Sequence, residues 1–393
     1  MNIYNKIGDI KYKNILLFQG PMGGFFDRLD KEFQDKEAIT FRLGLNAGDK
    51  FFASFDNYMP FKKKKEDFKE FIIEFYKSHN IDMIFLMGDC RYYQKIAIEV
   101  ARNINIDIFV FEEGYIRPNF ITLERNGVNA NSDMSRDRKF YDQIIVNEDL
   151  EKNVKQIDST YGKMALEATL YYVISNLLKY QYPHYTHHRN FSFLLEAFYG
   201  VRNFFRKIKY KIIEKNLEKR YETLISKKYF FVPLQTYGDF QILEHSKYNN
   251  MEEFIVEILE SFSRFSNKNN YLVFKHHPID RGRCNYTNFI NDCAKRLGCI
   301  DRVDILFDVH LPTLLRNAKG TITVNSTVGL SSLYHNTPTI CLGKSIYDID
   351  GLTSKQLTID DFWQTQQNID KKLFIKYKYW LIKNTQINDN FFI

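Results

Sequence analysis

Tyr271-Leu272-Val273-Phe274-Lys275-His276-His277-Pro278 reads as a short buried β-strand that ends in a cation and two imidazoles. An apolar, β-prone run closed by a turn-forming Pro fits a strand covered on both faces. The pattern recurs downstream, where Thr321-Ile322-Thr323-Val324 leads into Asn325-Ser326-Thr327-Val328-Gly329-Leu330-Ser331-Ser332. In a parallel α/β sheet, ligands gather outside the carboxyl ends of the strands. Lys275, His277, Ser326, Thr327 and Ser331 then share one side of the sheet. A cation, an imidazole, hydroxyls and a helix N-terminus are groups that hold a phosphate. The hydroxyls serve equally as helix N-caps, and the two uses are compatible because both act at the same helix end.

Working outward, further strand-loop-helix units flank this stretch. Runs at 229–234, 303–307, 321–324 and 339–342 read as strands beside 271–274, with an amphipathic helix at 251–265. Upstream, runs at 14–18, 38–43, 81–87 and 106–111 read the same way, and Phe68, Phe71, Ile72 and Phe75 share one face of a helix between them. The alternation argues for two parallel-sheet α/β domains. The boundary is placed near 225, giving domains 1–225 and 226–393. Residues 161–215 interrupt the rhythm with long helical, aromatic segments that end in Arg202, Arg206, Lys207, Lys209 and Lys211. They read either as an interfacial helix or as a helical hairpin packed on the sheet.

The upstream strand ends carry their own chemistry. Asp89 and Arg91 follow one strand; Glu112-Glu113-Gly114, with Arg117, follows the next. Two adjacent carboxylates can have separated pKa values, as acid/base or nucleophilic chemistry requires; a solvated pair before a turn is the plainer reading. Asp89 and Arg91 are either part of the same cleft or a simple ion pair. The loop Gln19-Gly20-Pro21-Met22-Gly23-Gly24 brings Gly23 and Gly24 where backbone can approach a ligand, or is only a turn.

Bulk properties narrow the function. The 393 residues suffice for two cores, and the hydrophobic and charged shares, 44% and 26%, are ordinary. A net charge of +7 is too mild to imply nucleic acid and fits an anionic substrate or membrane surface. The 5 Cys lack metal-ligand spacing and read as reduced thiols, so no metal is expected. Neither a signal peptide nor a membrane-spanning run is legible, which suggests a cytoplasmic protein.

The ordered set of motifs resembles the KpsS-type capsule polysaccharide synthesis proteins, a β-Kdo transferase family, and is similar to the set in bacterial GT-B CMP-sugar transferases. The residues that carry it are Gly88-Asp89-Cys90-Arg91, Glu112 through Pro118, Pro233-Leu234-Gln235, His277-Pro278, His310 through Leu315, Asn325 through Leu330, Tyr347 through Thr353, and Phe362-Trp363. Tyr93 stands where a His is expected, and Glu112-Glu113 where a Glu-Asp pair is expected. The resemblance implies two Rossmann-like domains facing a cleft, the GT-B arrangement. The N-terminal domain then holds the acceptor and the catalytic carboxylates Glu113 and Glu112, with Arg117, Asp89, Arg91, Gly23 and Gly24 on the sugar and acceptor. The C-terminal domain holds the CMP-sugar through Gln235, Lys275, His277, Pro278, His310, Asn325, Ser326, Thr327 and Ser331. The implied reaction is retaining transfer of Kdo from CMP-Kdo to a phosphatidylglycerol-type lipid, without a cofactor, on the inner face of the bacterial inner membrane beside other capsule assembly proteins. Glu113 is then either nucleophile or base. A non-catalytic assembly or export adaptor, and a transferase for another CMP-sugar such as sialic acid, remain the alternatives.

Overall fold

The computed structural model describes every residue except 1–2, 54–56, 149, 153, 158–160, 187–192 and 393; for 193, 194 and 197 it describes the backbone alone. The chain forms two compact units. One comprises Met1–Asp133, Glu148–Phe193 and Tyr379–Ile393, the other Met134–Asn147 and Leu194–Lys378. The strands among the described residues are β1 (Asn14–Phe18), β2 (Ile39–Gly44), β3 (Tyr58–Pro60), β4 (Met83–Met87), β5 (Asp107–Glu113), β6 (Ile121–Arg125), β7 (Tyr229–Pro233), β8 (Tyr271–Lys275), β9 (Val303–Leu306), β10 (Gly320–Thr323), β11 (Thr339–Cys341) and β12 (Gln386–Ile387).

The first unit is built on a sheet of order β12-β6-β5-β4-β1-β2-β3. The five strands from β5 to β3 are parallel, whereas β6 and β12 run antiparallel at one edge. Central strand β4 is apolar throughout and β1 is apolar after Asn14, as befits strands covered on both faces. Leu16 and Phe18 pack with Phe68, Ile72 and Ala97 on one face; Ile15 and Leu17 pack with Phe25, Leu29 and Phe33 on the other. The second unit holds an all-parallel sheet of order β11-β10-β7-β8-β9. Phe230, Val232, Leu272 and Phe274 meet the helix Met251–Phe265 on one face, and Phe231, Val273 and Leu306 meet Leu314 and Leu315 on the other. Two α/β units with Rossmann-like parallel sheets are thus present.

Several boundaries differ from the sequence reading. The unit boundary falls at 193/194 instead of near 225, because the two long helices of the 161–215 insertion belong to different units. The helix Tyr161–Leu177 is fastened to the loop after β2, where Asn46 donates to the Tyr171 hydroxyl at 2.7 Å and that hydroxyl donates to Asp49 at 2.9 Å. The helix Phe193–Ile213 is fastened to the second unit by arginines, described below. Residues 187–192 of the expected insertion lie outside the described residues. The C-terminal segment, expected to stay with the second domain, returns to the first: β12 pairs with β6, and Phe391 packs edge-on against Phe25 at 4.9 Å. No helix among the described residues is long and apolar enough to cross a membrane.

Candidate active site

In the first unit, β5 runs two residues beyond its apolar stretch, so Glu112 and Glu113 are its last two residues. Successive strand side chains point to opposite faces. Glu112 therefore turns toward the Asp89–Arg91 side and Glu113 to the opposite face. Glu112 is partly buried; its carboxylate accepts from the Glu113 N–H at 2.9 Å and from Asn129 at 3.5 Å. Burial first, then the charges of Glu113 and Asp89, push its pKa up to about 7; the Glu113 N–H and Arg91 oppose the shift. Glu113 is exposed at the strand end. The backbone turns at Gly114, where a Cβ would sit 2.0 Å from the Phe120 carbonyl. Arg117 is exposed and donates to the Gly114 carbonyl at 3.1 Å, which bridges the same turn.

Asp89 is buried and already engaged. Its carboxylate accepts from the Val128 N–H at 2.9 Å, from Asn131 at 3.2 Å and from the Cys90 thiol at 3.0 Å. It staples the loop after β4 to residues 128–131. Arg91 precedes the helix Tyr92–Asn103 and is half-buried. Gly23 has φ +110°, and a Cβ there would lie 1.9 Å from the Glu167 carboxylate; Gly24 precedes the helix Phe25–Gln34. This glycine loop makes room for a side chain of its own unit, Glu167.

In the second unit, the carboxyl ends of β10, β7, β8 and β9 are tied into one rim. Gln235, after β7, donates to Asn325 at 3.0 Å and accepts the Asn325 N–H at 3.2 Å. The Tyr237 N–H donates to Asp280 at 2.6 Å, which links the β7 loop to the His-Pro turn. His277 caps that turn: its Nδ1 accepts the Ile279 N–H at 3.3 Å, which in the neutral ring leaves the proton on Nε2. Pro278 follows as the first turn residue. Ser326 caps the helix Thr327–Tyr334, accepting the Val328 N–H at 3.2 Å, while the Tyr347 hydroxyl donates to the Ser326 carbonyl at 2.5 Å. Thr327 opens that helix, and Ser331 is exposed one turn later, with its hydroxyl 3.5 Å from the Thr327 carbonyl.

Lys275 and His310, both expected at the donor site, have partners within the protein. Lys275 is buried and its ammonium donates to the Phe307 carbonyl at 2.8 Å, with its pKa pushed down to about 8 by burial. It braces β8 to the β9 loop. His276 points into the core, stacked on Phe307 at 4.2 Å; its Nε2 accepts the Tyr286 N–H at 2.9 Å, and burial lowers its pKa to about 4. His310, on the exposed start of the helix Leu311–Asn317, lies 3.1 Å from the Thr313 hydroxyl and 3.6 Å from Glu218. Among the described residues no hydrogen bond joins His310 to the other donor candidates.

A family model described as capsule polysaccharide biosynthesis protein matches residues 82–392, a span that holds β4 through β12 and with them both strand-end clusters. The chain belongs to the capsule polysaccharide biosynthesis protein family. It is 36% identical over 377 residues to the capsule polysaccharide export protein KpsS of Escherichia coli, covering 96% of each chain. It is 35% identical over 392 residues to the capsule polysaccharide modification protein LipB of Neisseria meningitidis serogroup A, covering 97% of this chain and 92% of that one. Among solved structures it is similar to the β-Kdo 2,7 transferase KpsC of Thermosulfurimonas dismutans, at 15% identity, a TM-score of 0.44, and coverage of 93% and 89%.

Within this family member, the residues that sequence reasoning missed are mostly braces. Gln386 of β12 accepts the Tyr115 and Ile116 N–H groups at 3.0 and 3.4 Å, and so holds the turn after Glu113. Glu214 accepts the N–H groups of Phe307, Asp308 and Val309 at 2.9, 2.7 and 3.0 Å. Tyr115 donates to Glu124 at 2.6 Å. Gln386 and Glu214 act across long stretches of chain, with no local pattern to announce them.

Proposed function

We propose that this capsule biosynthesis protein is a glycosyltransferase that moves Kdo from CMP-Kdo to a phosphatidylglycerol-type lipid and thereby starts the poly-Kdo linker of a capsular polysaccharide. The reading is supported by two polar clusters, one at the strand ends of each sheet. One sheet ends in an exposed carboxylate held by a fixed turn, the other in an Nε2–H imidazole and a capped helix N-terminus. Anomeric transfer from a CMP-sugar requires both kinds of group. The C2–O bond to the CMP phosphate breaks while His277 Nε2–H and the Thr327–Tyr334 helix end receive the phosphate charge. The Glu113 carboxylate bonds to C2 to form an adduct, and the acceptor hydroxyl then displaces it, its proton passing to solvent, with overall retention. Glu112 holds the Glu113 N–H and is a positioning residue. Arg91 and Arg117 are the cations nearest the sugar carboxylate in this scheme. No metal is invoked, and the protein works peripherally on the inner face of the inner membrane, beside other capsule assembly proteins.

The E. coli relative's name, an export protein, favours one second reading, a non-catalytic adaptor. The deciding experiment incubates purified protein with CMP-Kdo and a fluorescent lysophosphatidylglycerol, with and without EDTA. A one-sugar mass shift in both samples supports the proposal. No shift favours the adaptor, a shift lost with EDTA removes the metal-free scheme, and a shift only with CMP-sialic acid reassigns the donor.

A further inference from the structure

The helix Phe193–Ile213 has two faces with opposite fates. Its inner face is consumed by its own unit. Arg202 donates to the carbonyls of Gly282 and Arg283 at 2.5 and 3.0 Å, and Arg206 to that of Arg281 at 2.9 Å. Tyr210 stacks on Phe307 at 3.8 Å, and Glu196 pairs with Arg283. Gly282 permits this close seat, since a Cβ there would lie 2.2 Å from the Tyr199 carbonyl. Of the five cations that end the insertion, Arg202 and Arg206 are thus engaged within their own unit.

The outer face is apolar and, among the described residues, uncovered. Phe198, Val201, Phe204, Phe205, Ile208 and Ile212 are between 45% and 69% exposed. At 3.6 residues per turn they form an arc of about 120°, opposite the docked face. Exposed Lys207 and Lys211 border the arc on one side and Lys209 on the other. The only acid within the helix, Glu196, is spent on Arg283, and Glu214 just beyond it is spent on the β9 loop. An apolar arc edged by lysines and free of acids matches an anionic lipid surface, where the rings enter the headgroup boundary and the ammonium groups reach phosphates. A protein partner would need no such cationic border.

We infer that this outer face is the membrane-docking surface of the protein, taking an anionic glycerophospholipid bilayer, and that the docked helix carries the His-Pro turn with it through Arg202 and Arg206. The inference rests on the proposed lipid acceptor. The test is flotation of the full-length protein with vesicles of equal parts phosphatidylglycerol and phosphatidylcholine. Wild type floats, and pure phosphatidylcholine recovers far less. The triple substitution Phe198→Ser, Phe205→Ser, Ile212→Ser lowers the bound fraction at least about tenfold. Lys207→Ser with Lys209→Ser and Lys211→Ser lowers it roughly tenfold to a hundredfold and removes its salt dependence. Both variants keep wild-type transfer to a detergent-dispersed lysophosphatidylglycerol. Unchanged flotation of either variant overturns the docking surface while leaving the transferase reading intact. So does a wild-type dimer that the apolar substitutions convert to monomer, since a second copy would then cover the face. Lost flotation with no transfer by wild type to any acceptor sinks the transferase reading and leaves the docking surface standing.

Discussion

Glu113 places one exposed charge at the end of β5. Glu113→Gln keeps the shape of an exposed side chain, so folding and CMP affinity stay at wild-type values while turnover falls at least about a hundredfold. Near-wild-type turnover removes Glu113 from the chemistry, and a Kdo adduct on its peptide distinguishes nucleophile from base. At Glu112 the pKa, raised from 4.5 to about 7 by burial, makes a stability prediction. Between those values the folded protein binds more protons than the unfolded chain, so stability falls as pH rises through the window and stays reduced above it. Glu112→Gln removes the charged form and keeps an acceptor for the Glu113 N–H. Its thermal midpoint should match wild type near pH 4 and exceed it at pH 8, by on the order of 1–3 kcal/mol in stability. Equal pH profiles for the two proteins reject the burial argument. His277 and Lys275 make a contrasting pair. Loss of a charge-assisted bond makes His277→Ala weaken CMP about ten- to a hundredfold by calorimetry. Lys275→Met instead leaves CMP affinity alone and costs about 1–3 kcal/mol in urea unfolding, because Phe307 loses its buried donor. The reverse assignment of effects would return Lys275 to the phosphate site.

At the scale of the element, the turn after β5 is held from two sides, by the absence of a side chain at Gly114 and by Gln386. Gly114→Ala drives a Cβ against the Phe120 backbone, which cannot rotate away, so the cost is about 3 kcal/mol and Glu113 is displaced. An unchanged urea midpoint with full activity means that the turn relaxes freely. This element also shows what the sequence discloses. Strands such as β1, β4 and β8 were legible because apolar runs under helices on both faces leave no other reading. The last two residues of β5 were not, since Glu-Glu before Gly reads as loop and only the antiparallel partner β6 extends the ladder. Period-2 parity held the clue that His276 shares a face with core Phe274 and that His277 does not. The bracing of Asp89 and Lys275 was illegible, because their partners, Val128 and Phe307, offer backbone groups that any residue type could supply. The exchange of helices between units was equally hidden: arginines that seat on carbonyls look, in sequence, like arginines awaiting a membrane.

At the scale of the whole molecule, the chain crosses between the two units four times and ends in the first. Residues 386–392 are remote in sequence from β5 and yet complete its sheet and core. Ile387 pairs with Ile121, and Ile387, Phe391 and Phe392 are all buried. Burying one such side chain contributes about 1.5–3 kcal/mol, so the three together approach the roughly 5–15 kcal/mol that holds a typical domain together. Ending the chain at Thr385 also removes Gln386 and frees the two N–H groups of the turn after Glu113. The first unit should then melt at a markedly lower temperature, or be unfolded at 25 °C, with proteolytic cuts confined to residues before 134 and between 148 and 193. The second unit keeps its sheet and the residues proposed to hold CMP, so calorimetry should return wild-type CMP affinity while transfer is lost. A single unfolding transition at the wild-type temperature would show that the tail adds nothing to the first unit. Loss of CMP affinity in step with the first unit would show that nucleotide binding draws on both.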